Sequence, residues 1–123
     1  MKKLTLKIGN NEFTFVNDSE STRYGFKHIC VMFINDYHMT TIYHSYYNRT
    51  WETYTYQTVM LEAIQAVMNE IYESELQDYK EKNGIKRLTS LKRKAFEDNF
   101  NNQTYKGLQE AYGKLKSENM WPW

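Results

Sequence analysis

The sequence predicts an α+β fold: a four-stranded antiparallel sheet packed by one long helix and followed by two shorter C-terminal helices. Three observations predict it. Strand-like alternation dominates residues 1–47, an apolar stripe at helical spacing runs through residues 54–83, and weaker helical patterns occupy residues 86–120. A length of 123 residues is typical of one domain. We therefore expect a single domain made of a β-meander, the long helix and the two shorter helices.

The first two strands are predicted as a hairpin over residues 3–16. Leu4, Leu6 and Ile8 alternate with polar residues, which is typical of a strand with one buried face. Gly9 and the two asparagines after it tolerate the positive φ of a tight turn.

A polar loop is predicted over residues 17–25, and two more strands over residues 28–34 and 39–47. The third strand, HICVMFI, is almost continuously apolar. Such a run indicates a central strand with both faces at least partly covered. Asn35, Asp36 and Tyr37 are predicted to form the turn between the third and fourth strands.

The long helix is predicted to begin at a Thr53 or Thr55 cap and to end at Asn83 and Gly84. Its apolar positions recur at steps of three and four: Val59, Met60, Ala63, Ile64, Val67, Met68, Ile71, Tyr72, Leu76 and Tyr79. We expect this stripe to lie across one face of the sheet.

The two shorter helices follow Gly84. Thr89 or Ser90 is a candidate start for the first, and residues 99–104 interrupt the helical pattern. The last helix contains Gly107 and Gly113, each of which costs about 1 kcal/mol relative to alanine in a helix interior.

The charge of the chain is nearly balanced, with 16 basic and 15 acidic residues and a net charge of +1. Its distribution is uneven, since residues 62–81 are mainly acidic and residues 82–94 carry bases without acids. This asymmetry is typical of two solvated helix faces, and the small total argues against a polyanion mimic or a strongly basic nucleic-acid binder.

Cysteine content and hydropathy indicate the cellular compartment of the protein. A single cysteine, Cys30, excludes an intramolecular disulfide framework. The N-terminal residues lack the apolar segment of a signal peptide, and no run reaches the length of a membrane span. We expect a cytoplasmic protein in a bacterial host cell, without a membrane partner.

Candidate catalytic groups are few. His28 and Cys30 share a face of the third strand, and His38 and His44 belong to the fourth strand and its turn. Their spacing matches no zinc-ligand framework, and apolar neighbours disfavour the Cys30 thiolate. Glycine-rich phosphate loops and nucleophile elbows are absent from the sequence. We expect no enzymatic activity, no metal and no cofactor.

Aromatic residues point to a partner protein. They make up 16% of the chain and are concentrated in residues 43–56 and in the Trp-Pro-Trp end. Rigid aromatic side chains and arginine are enriched at interfaces. The predicted partner-binding residues are Arg49, Trp51, Tyr54, Trp121 and Trp123. The two terminal tryptophans either fold back on the core or anchor the partner.

An alternative is an accessory nucleic-acid-binding function of residues 82–94. Its candidate phosphate contacts are Lys86, Arg87, Lys92, Arg93 and Lys94. Aromatic residues between positions 46 and 54 could stack on unpaired bases.

Three segments carry a resemblance to a protein group: LTLKIGNNEFTF in the hairpin, YGFKHICVMFIND over residues 24–36, and NRTWETYTYQTVMLEAI over residues 48–64. Together they resemble small uncharacterised proteins of phages and mobile elements of Gram-positive bacteria. The resemblance covers about the first half of the chain. It implies a counter-defence role, such as inhibition of a CRISPR nuclease or its RNA complex, and it assigns no catalytic residues. The nearly neutral net charge favours surface blockade or clamping over imitation of a polyanion as the mode of inhibition.

Overall fold

The computed structural model describes residues 2–23, 25–47 and 56–117. Within them the strands are β1 (Lys2–Ile8), β2 (Asn11–Thr22), β3 (Gly25–Ile34) and β4 (Tyr37–Tyr47), and the helices are α1 (Tyr56–Lys82), α2 (Ser90–Asp98) and α3 (Gln103–Ser117). The predicted α+β fold, with its four-stranded antiparallel sheet and long helix, is confirmed.

The sheet is a simple meander in the order β1-β2-β3-β4, with every neighbouring pair antiparallel. Two tight turns set its register. Gly9 has a φ of +61° between β1 and β2, and Asn35 and Asp36 have φ values of 50° and 69° between β3 and β4. Asparagine and aspartate tolerate this left-handed region better than other side chains, which explains their position in the second turn. Tyr37, predicted as part of this turn, is instead the first residue of β4 and pairs with Ile34.

Strand β2 is longer than predicted, and the predicted loop over residues 17–25 is wrong. The ladder with β3 continues from Asn17 opposite Cys30 to Thr22 opposite Gly25. Hydrogen bonds between the backbones of β2 and β3 stabilise this stretch. Its polar side chains are compatible with a strand, because Asp18, Ser19 and Glu20 are exposed to solvent. The polar composition of these residues predicted a loop, but pairing with the long strand β3 keeps them in a strand.

Helix α1 is 27 residues long and ends where the sequence predicts. Gly84 has a φ of +62°, and the backbone N–H of Ile85 donates to the carbonyl of Lys80 at 2.9 Å, which closes the C-terminus. The predicted cap residues Thr53 and Thr55 lie outside the described residues.

The shorter helices have capped N-termini. The backbone N–H of Lys92 donates to the Thr89 hydroxyl at 3.3 Å, which confirms Thr89 as the cap of α2. The N–H of Tyr105 donates to the Asn102 side-chain oxygen at 2.9 Å at the start of α3. The Phe96 ring then attaches α2 to α1, since its centroid lies 5.4 Å from that of Tyr72.

Helices α1 and α3 lie on one face of the sheet, the inner face. Helix α1 contacts β3 and β4, while α3 contacts β1 and α1. The inner face contributes these buried residues to the core: Leu4, Leu6, Ile8, Phe13, Phe15, Cys30, Met32 and Ile34. The described helices pack on this inner face, and none of them packs on the opposite, outer face of the sheet.

Candidate interaction surface

The outer face of the sheet carries a group of apolar side chains that we call the outer patch: Val16, Ile29, Val31, Phe33 and Tyr43. None of them belongs to the buried core cluster. Four are half-buried, and Tyr43 is 54% exposed. Antiparallel sheets with one solvated face usually present polar side chains there, so a contiguous group of apolar side chains on this face indicates a binding surface.

Strand register brings the outer patch together. Val16 of β2 lies opposite Val31 of β3, and Ile29 of β3 lies opposite Tyr43 of β4. Side chains directly opposite on one face of an antiparallel pair have Cβ atoms about 5 Å apart. The patch is therefore continuous across three strands.

A charged rim of both signs borders the patch. The Lys27 ammonium lies 3.4 Å from a Glu20 carboxylate oxygen and 4.5 Å from the centroid of the Tyr43 ring. Its pKa is raised, chiefly by the hydrogen bond to Tyr43 and also by Glu20. Asp18, in the row of Ile29 and Tyr43, adds an exposed acid. Apolar centres with polar rims are typical of protein–protein interfaces.

The sequence pattern alone did not single out the outer patch, because nearly every residue of HICVMFI is apolar and the two faces of the strand therefore look alike. The prediction that both faces of this strand are at least partly covered agrees with the burial of its residues, since the outward-facing Ile29, Val31 and Phe33 are half-buried. Among the described residues, however, only the inner face packs against helices. Met32 and Cys30 are fully buried on the inner face, while Ile29, Val31 and Phe33 alternate onto the outer one. Period-two assignment of the run would have identified them.

All five predicted partner-binding residues, Arg49, Trp51, Tyr54, Trp121 and Trp123, lie outside the described residues. The structure therefore does not relate them to the outer patch. Their role stays a prediction.

The candidate basic residues are all exposed, but they do not form one face. Lys86 and Arg87 lie before α2, whereas Lys92, Arg93 and Lys94 are consecutive on it and so point in different directions. Arg93 donates to the Tyr72 hydroxyl at 3.1 Å, and Tyr72 donates to Glu97 at 2.7 Å. Arg93 thus helps to attach α2 to α1.

Cys30 and His28 lie on the inner face next to the helices. Burial raises the pKa of the Cys30 thiol to about 12, so the reactive thiolate is scarce at neutral pH. Burial, and next the neighbouring His44, lower the pKa of His28. Within residues 2–23, 25–47 and 56–117, no group of three or more His, Cys, Asp or Glu side chains is arranged to hold a metal ion.

Polar contacts join the sheet to the first turns of α1 beside His28. His44 of β4 bonds through Nε2 to a carboxylate oxygen of Glu62. The hydroxyls of Ser19 and Tyr56 lie 2.9 Å apart, and the Tyr56 ring meets His28 edge-on with centroids 5.1 Å apart. Sequence reasoning found the histidines but not these partners, because spacing along the chain does not show which helix residue faces which strand.

Comparison with known proteins adds no relative. No family model matches the chain, and neither the curated proteins nor the solved structures include a significant match. The fold class is α+β. No helix in the described ranges combines the length and apolar character needed to cross a membrane.

Proposed function

We propose that this protein binds a partner protein through the outer patch and thereby inhibits a macromolecular machine of a bacterial host. The observation that carries this proposal is the outer patch centred on Val31, which the described helices leave uncovered. Burying apolar area contributes roughly 25 cal/mol per Å², so covering this face with a partner stabilises the complex. Binding alone, without a chemical step, is the activity in this proposal.

A protein suits the outer face better than a nucleic acid does. A phosphate backbone would meet the carboxylates of Asp18 and Glu20 there, since both are exposed. The Glu20 and Lys27 pair at 3.4 Å already neutralises the nearest base. Nucleic-acid surfaces instead gather bases that replace counterions. A mixed rim around an apolar centre favours a protein surface of complementary pattern.

A CRISPR nuclease is the first machine to be tested. The choice of a CRISPR nuclease is supported by the resemblance of the hairpin, the third strand and residues 48–64 to small phage and mobile-element proteins. With a net charge of +1, steric blockade of a protein surface is a more natural mode of inhibition than imitation of a polyanion.

The proposal is tested by DNA-cleavage assays on purified CRISPR nucleases loaded with guide RNA. Wild-type protein should inhibit at least one nuclease, and the Val31→Glu variant should lose inhibition because it places a charge at the centre of the patch. The matched control is Leu91→Glu, since Leu91 is an apolar residue of α2 that is 81% exposed. Equal inhibition by both variants, or no inhibition of any nuclease by the wild type, would contradict the proposal.

A second candidate function, nucleic-acid binding by residues 82–94, is favoured by the exposure of all six bases in this stretch. Lys92 and Lys94 are the residues to test, because Arg93 also holds Tyr72. Retardation of DNA or RNA that weakens steeply with salt would support this function. Lys92→Glu with Lys94→Glu should then abolish it, whereas Lys106→Glu with Lys116→Glu, at exposed lysines of α3, should not.

A further inference from the structure

The two edge strands of the sheet differ in charge. Strand β1, at one edge, has the sequence KKLTLKI with exposed Lys2, Lys3 and Lys7. Strand β4, at the other edge, has the sequence YHMTTIYHSYY, without lysine, arginine, aspartate, glutamate, proline or glycine. Lysines on an edge strand oppose pairing with another chain, whereas an uncharged edge permits it.

The edge of β4 is long and largely regular. Among the described residues β4 pairs only with β3, so its second edge has no strand partner there. The one irregularity in the β3–β4 ladder lies between Met32 and Phe33, opposite the first residues of β4. Beyond it, residues 40–47 pair with β3 without interruption and span roughly 27 Å. A row of backbone N–H and C=O groups of this length is a template for another strand.

We infer that β4 pairs with β4 of a second copy of this chain, which joins two sheets into one eight-stranded antiparallel sheet. An antiparallel pairing of identical strands is isologous, so it satisfies the same backbone groups on both copies. The strand is uncharged except for its histidines when protonated, and two copies therefore approach without strong repulsion.

The lysines of β1 limit this assembly to two copies. The free edges of the joined sheet are both β1, and pairing them would place Lys2, Lys3 and Lys7 against another set of lysines. The assembly is thus a closed dimer rather than a growing fibre.

Helix packing adds area to the strand pairing. Helix α1 lies over β3 and β4, so the two copies of α1 come to run beside the dimer axis. Stable interfaces bury about 800 Å² on each partner, more than one strand edge supplies. The outer patches of the two copies also become neighbours on one continuous sheet face.

Thr41 and Thr5 provide a matched pair of variants. Both are exposed threonines on the outer face of an edge strand, Thr41 on β4 and Thr5 on β1. In the described part of the chain, the Thr41 hydroxyl is hydrogen-bonded to His38 at 2.9 Å and the Thr5 hydroxyl to Thr14 at 3.4 Å. Thr41→Lys and Thr5→Lys therefore make the same change at opposite edges of the sheet.

Sedimentation velocity over a range of protein concentrations tests the inference. We expect a dimer for the wild type and for Thr5→Lys, and a dissociation constant raised at least about tenfold for Thr41→Lys. A wild type that stays monomeric at every concentration, or equal dissociation of the two variants, would overturn it.

Hydrogen exchange of the wild type provides a second measurement that does not depend on any variant folding. The outward-facing amides of residues 40–47 should exchange more slowly as the dimer forms, and those of β1 should not change. Protection that is independent of concentration would contradict the pairing. The inference does not rest on the proposed function, because Val31→Glu should abolish partner binding and leave the dimer intact.

Discussion

Gly107 of α3 lies against the ring of Phe13 of β2, so closely that a Cβ at position 107 would stand 3.1 Å from the ring Cζ. Phe13 is fully buried in the core. The close approach explains a glycine in the middle of a helix, where it otherwise costs about 1 kcal/mol. The glycine that weakens α3 in isolation thus allows α3 to pack on the sheet.

Alanine substitutions at the two glycines of α3 should have opposite effects. Gly113→Ala should raise the free energy of unfolding by about 1 kcal/mol, because within the described part of the chain no atom beyond the neighbouring helix backbone lies within 4 Å of the added Cβ. Gly107→Ala should lower it by about 1 kcal/mol or more, since the enclosed Phe13 ring has little room to shift. Urea unfolding of both variants measures the difference, and a stabilised Gly107→Ala would show that the contact is looser than described.

Asn17 on the inner face should be replaceable by leucine with a gain in stability. Its side chain is fully buried, and within the described part of the chain neither its Nδ2 nor its Oδ1 has a hydrogen-bond partner. Leucine keeps the branched shape and removes the unsatisfied groups, so Asn17→Leu should raise the free energy of unfolding by about 1 kcal/mol or more. Asn17→Ala is the control, because it removes the amide but leaves a cavity. A loss of stability in Asn17→Leu would mean that the amide is hydrogen-bonded in solution.

The buried His28 should make stability depend on pH. Its pKa is lowered by burial and by His44, so the unfolded chain takes up a proton at a higher pH than the folded chain does. The contribution of neutral His28 to the free energy of unfolding is therefore complete above about pH 6.5, the ordinary pKa of histidine. It is lost as the pH falls from there through the lower pKa of His28 in the folded protein.

His28→Phe removes this titration and keeps an aromatic ring against Tyr56. Between about pH 7.5 and about pH 5, the wild type should lose more free energy of unfolding than His28→Phe, as measured by urea titrations at each pH. Parallel losses in the two proteins would show that His28 titrates equally in the folded and unfolded states.

Cys30 should be unreactive in the folded protein. Burial raises its pKa to about 12 and also keeps reagents away from the fully buried side chain. Alkylation at neutral pH should be slow in native protein and fast in concentrated urea. A fast native reaction would instead mark Cys30 as an accessible thiol.

Local patterns predicted most of the fold because the alternation of Leu4, Leu6 and Ile8 and the stripe of α1 both reflect burial directly. They failed over residues 17–22, where long-range pairing with β3 holds polar residues in a strand. They did not single out the outer patch, since an apolar run such as HICVMFI does not show whether helices will pack on one face of the strand or on both. The contacts of Tyr56 and Glu62 with the sheet depend on how α1 crosses the strands, which periodicity does not fix.

Site-specific photo-crosslinking shows whether a partner protein binds the outer patch. Benzoylphenylalanine would replace Phe33 in the patch or Leu91 on α2, and each protein would be irradiated with the nuclease that the wild type inhibits. We predict a discrete covalent adduct from position 33 and none from position 91. An adduct from position 91 alone would place the partner on the helical side of the protein and would contradict binding at the outer patch.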